Sequence, residues 1–243
     1  MYVQTNRKIF ILHFIMKQKK CLFFGKKNCQ FSKLAVKSLE KNNFKVKKIL
    51  TDNTINEKVK LKNLGNFDYI VTYITKVILP QSLIKKAKIM AINFHNSLPK
   101  YPGSGGIALT LLNNDKFSGI TVHHINKYVD NGEIIYVHKF KIKNNLSIEE
   151  LLKKSNKQKI LLFNRFAKNS FDLNFIKRNM TKFKKQKWNK KASKMSYINT
   201  LREIKPAMTK KKILRIIKVF SYKNYLPYVK IKDFKFILEK KEN

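Results

Sequence analysis

From residue 20 to residue 94, short apolar runs alternate with segments of helical spacing, and the connections between them are short. Lys20 to Phe24 predicts a buried strand ending at Gly25. Ser32 to Asn42 places Leu34, Ala35, Ser38 and Leu39 at helical intervals. Phe44 to Leu50 alternates like a strand, and Ile55 to Leu64 predicts a weak helix stopped by Gly65. Asp68 to Tyr73 is a further strand. Pro80 opens a short helix to Lys88, and Lys88 to Phe94 closes the series as a strand. Such alternation constrains the chain to an α/β, Rossmann-like sheet of mostly parallel strands. Ligands of such sheets bind beyond the carboxyl ends of the strands, where the loops converge.

Residues 95–106 break the pattern with two prolines and three glycines directly after a buried strand. A long loop held on a rigid sheet is a frequent seat of catalysis. Beyond it, Ile107 to Asn113 predicts a helix. Gly119 to Ile125 and Gly132 to His138 predict two strands around a polar turn. Ser147 caps a long helix, with Glu149 and Glu150 suited to its dipole. Thr209 caps a helix to Phe220, and Pro227 to Leu238 predicts a strand pair around Lys232 and Asp233. We therefore expect a catalytic domain over 16–180 and a small, basic helix-and-hairpin module over 181–243. Residues 1–15 are expected to be a dispensable extension, with Met16 as an alternative start. The apolar run from Ile9 to Met16 is too short for a membrane span, and no small-residue cleavage site follows it.

Charge must be weighed before function is assigned. The formal net charge is +40, which would suit a polyanion partner. Yet only five of the 54 basic residues are arginine, the side chain whose fork reads phosphates and bases. Lysine enriched together with Asn and Ile fits a compositional bias as well as it fits a binding surface. In either case the field favours anionic ligands. The two cysteines, Cys21 and Cys29, are too few for a disulfide framework or a zinc knuckle. Free thiols in a reducing compartment, a cytoplasmic location and no metal are expected.

Asn93 and His95 stand two apart at a strand end, so they emerge on one face at the mouth of the Pro/Gly loop. An amide that can hold a carbonyl oxygen beside an imidazole that can share a proton suits acyl transfer. A second polar pair, His123 and Asp130, follows at a strand end and its turn. An Asp beside a His can orient its ring and favour its charged form.

These segments resemble the folate-dependent formyltransferase family. The resemblance rests on Asn93-x-His95-x-Ser97-Leu98-Pro99, then Lys100-Tyr101-x-Gly103, and on Gly119-Ile120-Thr121-Val122-His123 followed seven residues after His123 by Asp130 in Val129-Asp130-Asn131-Gly132-Glu133-Ile134-Ile135. Ile78-Leu79-Pro80 is similar to the family's pteridine-binding loop. The likeness covers about residues 20 to 165.

It implies a Rossmann-like catalytic domain and 10-formyltetrahydrofolate as co-substrate. Asn93, His95 and Asp130 would be the catalytic trio, with His123 in support. Lys76, Ile78, Leu79, Pro80 and Val129 would line the folate site. Ser97, Lys100, Tyr101 and Gly103 would form the substrate loop.

The loop departs from the methionyl-tRNA members in its single leucine and in Pro102-Gly103-Ser104-Gly105-Gly106. The tail, from Met208 through Pro227, is similar to the short C-terminal module of sugar-nucleotide N-formyltransferases. The expected acceptor is therefore an amino sugar on a nucleotide diphosphate, an anionic small molecule. Alternatives are methionyl-tRNA formylation, hydrolysis of the formyl-folate, or basic RNA binding on an inactive fold. The oligomeric state is left open.

Overall fold

A computed structural model of the chain describes residues 18–52, 61, 64–143, 145–223 and 225–239. The expected N-terminal extension and most of the expected helix over 55–64 lie outside the described residues. The first elements are β1 (Lys19–Lys26), α1 (Gln30–Lys41), β2 (Phe44–Thr51), β3 (Phe67–Tyr73), α2 (Gln81–Ile84) and β4 (Ala87–His95). They are followed by α3 (Gly106–Leu112), β5 (Phe117–His124), β6 (Ile134–Lys141) and α4 (Ile148–Lys168).

Strands β2-β1-β3-β4-β5-β6 form one sheet in that order. The first four run parallel, and β5 and β6 are antiparallel additions. The inner strands β1 and β3 are apolar on both sides because helices or loops cover both faces, whereas the edge strand β2 carries Lys45, Lys47 and Lys48. On β1, Cys21 and Phe23 face the core under α1 and α4, while Leu22 and Phe24 face the layer that includes Leu79 and Leu83. The larger core is aromatic. Phe94 and Phe163 lie 4.9 Å apart between centroids, and Phe166 and Phe175 5.1 Å apart in a perpendicular pair. Helix α4 begins at the expected cap. The Ser147 side chain accepts from the Glu150 amide, and the Glu150 carboxylate accepts from the Ser147 amide.

Helix α2 is one turn long and ends before Lys88, because Ala87 already pairs with Phe67 in the sheet. The sequence reading also passed over α5 (Leu173–Phe183), α6 (Met195–Thr200) and β7 (Glu203–Ile204). Asp172 caps α5 by accepting from the amides of Asn174 and Phe175.

Helix α7 (Lys210–Phe220) and the hairpin β8 (Tyr228–Ile231) and β9 (Phe234–Ile237) form where the tail predicts them. Thr209 caps α7 by accepting from the Lys212 amide. Ile216, Val219 and Phe220 of α7 pack with Tyr101, Ala108 and Leu109, so this module shares a core with the loop after β4. Among the described residues, no helix is long and apolar enough to cross a membrane.

Candidate active site

The end of β4 delivers Asn93 and His95, and β5 runs antiparallel beside it with Asn93 opposite His123. The turn between β5 and β6 then brings Asp130 back over both. Gly132 permits that turn, since a Cβ there would collide with the His124 carbonyl oxygen. Asp130 itself takes a positive φ of 42°, a conformation that neighbouring contacts must sustain.

Those contacts are numerous. Asp130 Oδ2 lies 3.1 Å from His95 Nδ1 and accepts from the Gly103 amide at 2.8 Å. Asp130 Oδ1 lies 3.2 Å from His123 Nε2 and accepts from Asn93 Nδ2 at 3.1 Å. The Asn93 carbonyl oxygen accepts from Thr72 Oγ1 at 2.7 Å. His123 Nδ1 donates to the His124 carbonyl oxygen at 2.8 Å.

His95 Nε2 faces the Tyr101 carbonyl oxygen at 2.9 Å and also touches Ser97 Oγ, which donates to that same carbonyl. Both ring nitrogens of His95 therefore face acceptor oxygens.

Asp130 is electrostatically well set for such a partner. Burial by itself would raise its carboxyl; the charge of His95 and the hydrogen bonds from His123 and His95 more than offset this and hold it well below the usual carboxylate range. Nearby, burial lowers the imidazole of His124.

The structure thus gathers Asn93, His95, His123 and Asp130 into one cluster. It uses the loop residues differently. Ser97 and Tyr101 are buried: Ser97 braces the loop, and the Tyr101 hydroxyl donates to Asp115 at 2.6 Å and accepts from Asn113 at 2.7 Å. Gly103 lies against Ser193 with no room for a Cβ. Lys100 is the exposed member, ion-paired to Asp115 at 2.8 Å. Its hydrogen bond to Asp115 raises its ammonium pKa.

Leu79 is buried, whereas Ile78 and Val129 are exposed. Between their segments lies a cleft of about 340 Å³ lined by Gln81, Ile84, Lys85, Ile125, Lys127 and Tyr128. Sequence reasoning named no residue that lines this cleft. It also missed Trp188, whose ring centroid lies 4.9 Å from that of His123 and 5.6 Å from that of His95. As the single tryptophan of the chain it was visible, but no local pattern tied it to residues more than 50 positions away.

The sequence pattern of the formyl transferase family matches residues 10–165. The chain belongs to this family. Methionyl-tRNA formyltransferase of Finegoldia magna is 32% identical over 106 residues, 42% of this chain and 34% of that protein. The bifunctional polymyxin resistance protein ArnA of Wigglesworthia glossinidia brevipalpis is 33% identical over 88 residues, 36% of this chain and 14% of that protein. The chain thus spans about a third or less of the length of these curated relatives.

In three dimensions it resembles a Shewanella sugar N-formyltransferase with a TM-score of 0.70 at 15% identity, covering 91% of this chain and 97% of the other. It also resembles the N-formyltransferase of Helicobacter canadensis solved with folinic acid and dTDP-3-aminofucose, with a TM-score of 0.65 at 22% identity, covering 89% and 85%. These likenesses carry the formyltransferase fold across nearly the whole chain, the C-terminal module included. Among the described residues, no group of His, Cys, Asp and Glu is placed to hold a metal ion.

Proposed function

We propose that this chain transfers the formyl group of 10-formyltetrahydrofolate to a primary amine, and that the amine belongs to an amino sugar on a nucleotide diphosphate. The observation that carries the chemistry is His95, held between the Asp130 carboxylate and the Tyr101 carbonyl so that each ring nitrogen faces an acceptor oxygen.

The acceptor amine attacks the formyl carbon, a C–N bond forms, and the carbonyl oxygen becomes an oxyanion. That oxyanion takes the place of the Tyr101 carbonyl at the Nε2–H of His95, with the Asn93 amide as second donor. Asp130 receives the proton of the amine and returns it to the folate nitrogen as the old C–N bond breaks. The cleft between α2 and residues 125–128, flanked by Lys76, Ile78, Leu79, Pro80 and Val129, would hold the pterin.

The sugar-nucleotide acceptor is supported by the Pro/Gly-rich loop, by a C-terminal module with the fold of sugar N-formyltransferases, and by an excess of lysine that draws anionic substrates. We assign catalysis to residues 16–180, the tail to acceptor contacts, and the protein to the cytoplasm. A second reading, methionyl-tRNA as acceptor, is favoured by the relatives matched over the catalytic half.

One assay separates them. The full chain is incubated with 10-formyltetrahydrofolate and either a panel of amino-sugar nucleotides or methionyl-tRNA, and the acceptors are weighed. We expect a sugar nucleotide to gain about 28 mass units, formyl for hydrogen. Formylation of methionyl-tRNA alone would overturn the sugar reading, and release of formate with no acceptor modified would make the protein a hydrolase.

A further inference from the structure

Trp188 lies in the stretch joining α5 to α6, outside the segment matched to the family. Nothing local makes that stretch regular, yet it is fixed to the site by hydrogen bonds. The Asn189 amide donates to the Pro99 carbonyl oxygen at 3.0 Å, and its side chain donates to the Lys100 carbonyl oxygen at 3.3 Å. The Ser193 amide donates to the Pro102 carbonyl oxygen at 2.9 Å, and the Ser104 amide returns a bond to Ser193 at 2.8 Å. Gly103, which also donates its amide to Asp130, closes against this strap.

The indole is the strap's contribution to the cluster. Its Nε1 donates to the Gly132 carbonyl oxygen at 2.7 Å, in the same turn that presents Asp130. His123 and His95 both stand steeply across the ring plane, at 84° and 72°. The indole thus occupies space directly beside both imidazoles. Trp188 also lines an open cleft of about 460 Å³ with Leu98, Pro99, Lys139 and Phe183. It therefore separates the two histidines from a solvent-filled space.

We propose that Trp188 is a positioning residue. It locks the His95 and His123 rings in register with Asp130 and keeps water from the carboxylate, so that the C-terminal strap completes a site whose reacting groups come from the sheet. This rests on the transfer reading above only for its kinetic consequence; the effect on the imidazoles stands without it.

The titratable groups around the indole are His95 from β4, His123 from β5 and Asp130 from the turn, with Lys100, Lys139 and Lys187 lining the same cleft as the indole. Water admitted beside Asp130 would weaken its attraction to the imidazoles and let its carboxyl rise toward the ordinary range, since that attraction is strong only while desolvated.

The single tryptophan makes the test direct, because a neighbouring imidazolium quenches indole emission. Emission of the wild-type full chain is followed against pH, alone and in His123→Asn. Imidazole ring protons are followed by NMR in the wild type, Trp188→Phe and Trp188→Ala, and kcat, KM and the pH–rate profile are measured on the same proteins. Emission should follow the titration of the cluster, with a smaller change in His123→Asn.

Trp188→Ala should lower kcat about tenfold or more, with KM for the folate within about twofold. Its imidazole ring-proton signals should shift, and its acid limb should move toward higher pH as the Asp130 carboxyl, no longer held down by the histidines, rises toward its ordinary range. Trp188→Phe, which keeps a ring but loses the bond to Gly132, should fall between and rescue most of kcat. If Trp188→Ala unfolds, the wild-type emission and the Trp188→Phe data decide. Lower melting temperature with unmoved imidazole signals and pH profile would reduce Trp188 to a structural plug and overturn the proposal. Shifted signals in a protein inactive on every acceptor would uphold the positioning and sink the transfer reading instead.

Discussion

Two places in this fold bury charge, and they treat it in opposite ways. At the mouth of β4, Asp130 accepts or faces four groups, from Asn93, His95, Gly103 and His123. On the other face of the sheet, Lys159 of α4 is 2% exposed, with its ammonium 4.7 Å from the centre of the Tyr73 ring. Among the described residues no carboxylate forms an ion pair with it, and burial lowers its pKa from 10.5 to about 7. The first arrangement keeps charge on two partners in a dry site, which is what acyl transfer needs. In the second, burial shifts the balance toward the neutral amine. Buried charge in this protein persists only where the sequence surrounds it with donors.

The largest expected effects break the first place. His95→Ala and Asp130→Ala should each lower turnover about a hundredfold or more. Folate binding should survive the His95 change. Steady-state kinetics and folate titration check this, and near-normal turnover in either variant would remove that residue from the mechanism.

Asp130→Ala should also cost stability, about 3–5 kcal/mol, because it leaves two imidazoles and an amide without their acceptor. Since the folded-state carboxyl is held below its unfolded value near 3.8, its contribution is present above that pH and lost as pH falls below it. Acid unfolding of the variant should begin from a flatter baseline. Gly132→Ala, which must displace the His124 carbonyl, should destabilise by roughly 2–4 kcal/mol in urea titration and lower kcat with it.

The second place should respond with the opposite sign. Lys159→Met removes a buried amine whose charged form is penalised by desolvation and should stabilise the protein by on the order of 2 kcal/mol at pH 7. In the parent, the unfolded chain holds the Lys159 proton up to 10.5 and the folded chain releases it near 7, so stability should rise with pH across that window. The variant should lose this rise. Loss of stability at pH 7 would mean that the ammonium–Tyr73 contact outweighs its desolvation. As a small calibration away from both places, Ser147→Ala should cost about 1 kcal/mol, the usual worth of a helix cap.

Much of this was legible in the chain itself. The caps at Ser147 and Thr209 were read correctly because a cap is a relation between neighbours. Strands β1, β3 and β4 were read from continuous apolar runs, and Asn93, His95, His123 and Asp130 from their spacing. Helix α5 was missed because its caps and apolar residues are set among lysines. The walls of the cleft beside α2 were missed because Gln81 and Ile84 carry no signature of a ligand.

What the sequence determined alone is what depends on short range: period, capping and the family pattern along about residues 20 to 165. Tertiary structure decided the rest. Only folding turns Ser97 and Tyr101 inward as braces, leaves Lys159 beneath Tyr73, and carries Trp188 more than 50 residues back onto two histidines. The physical reason is that these placements satisfy no local rule. They follow from which faces the sheet buries and from the need of every buried polar group to find a partner, wherever along the chain that partner lies.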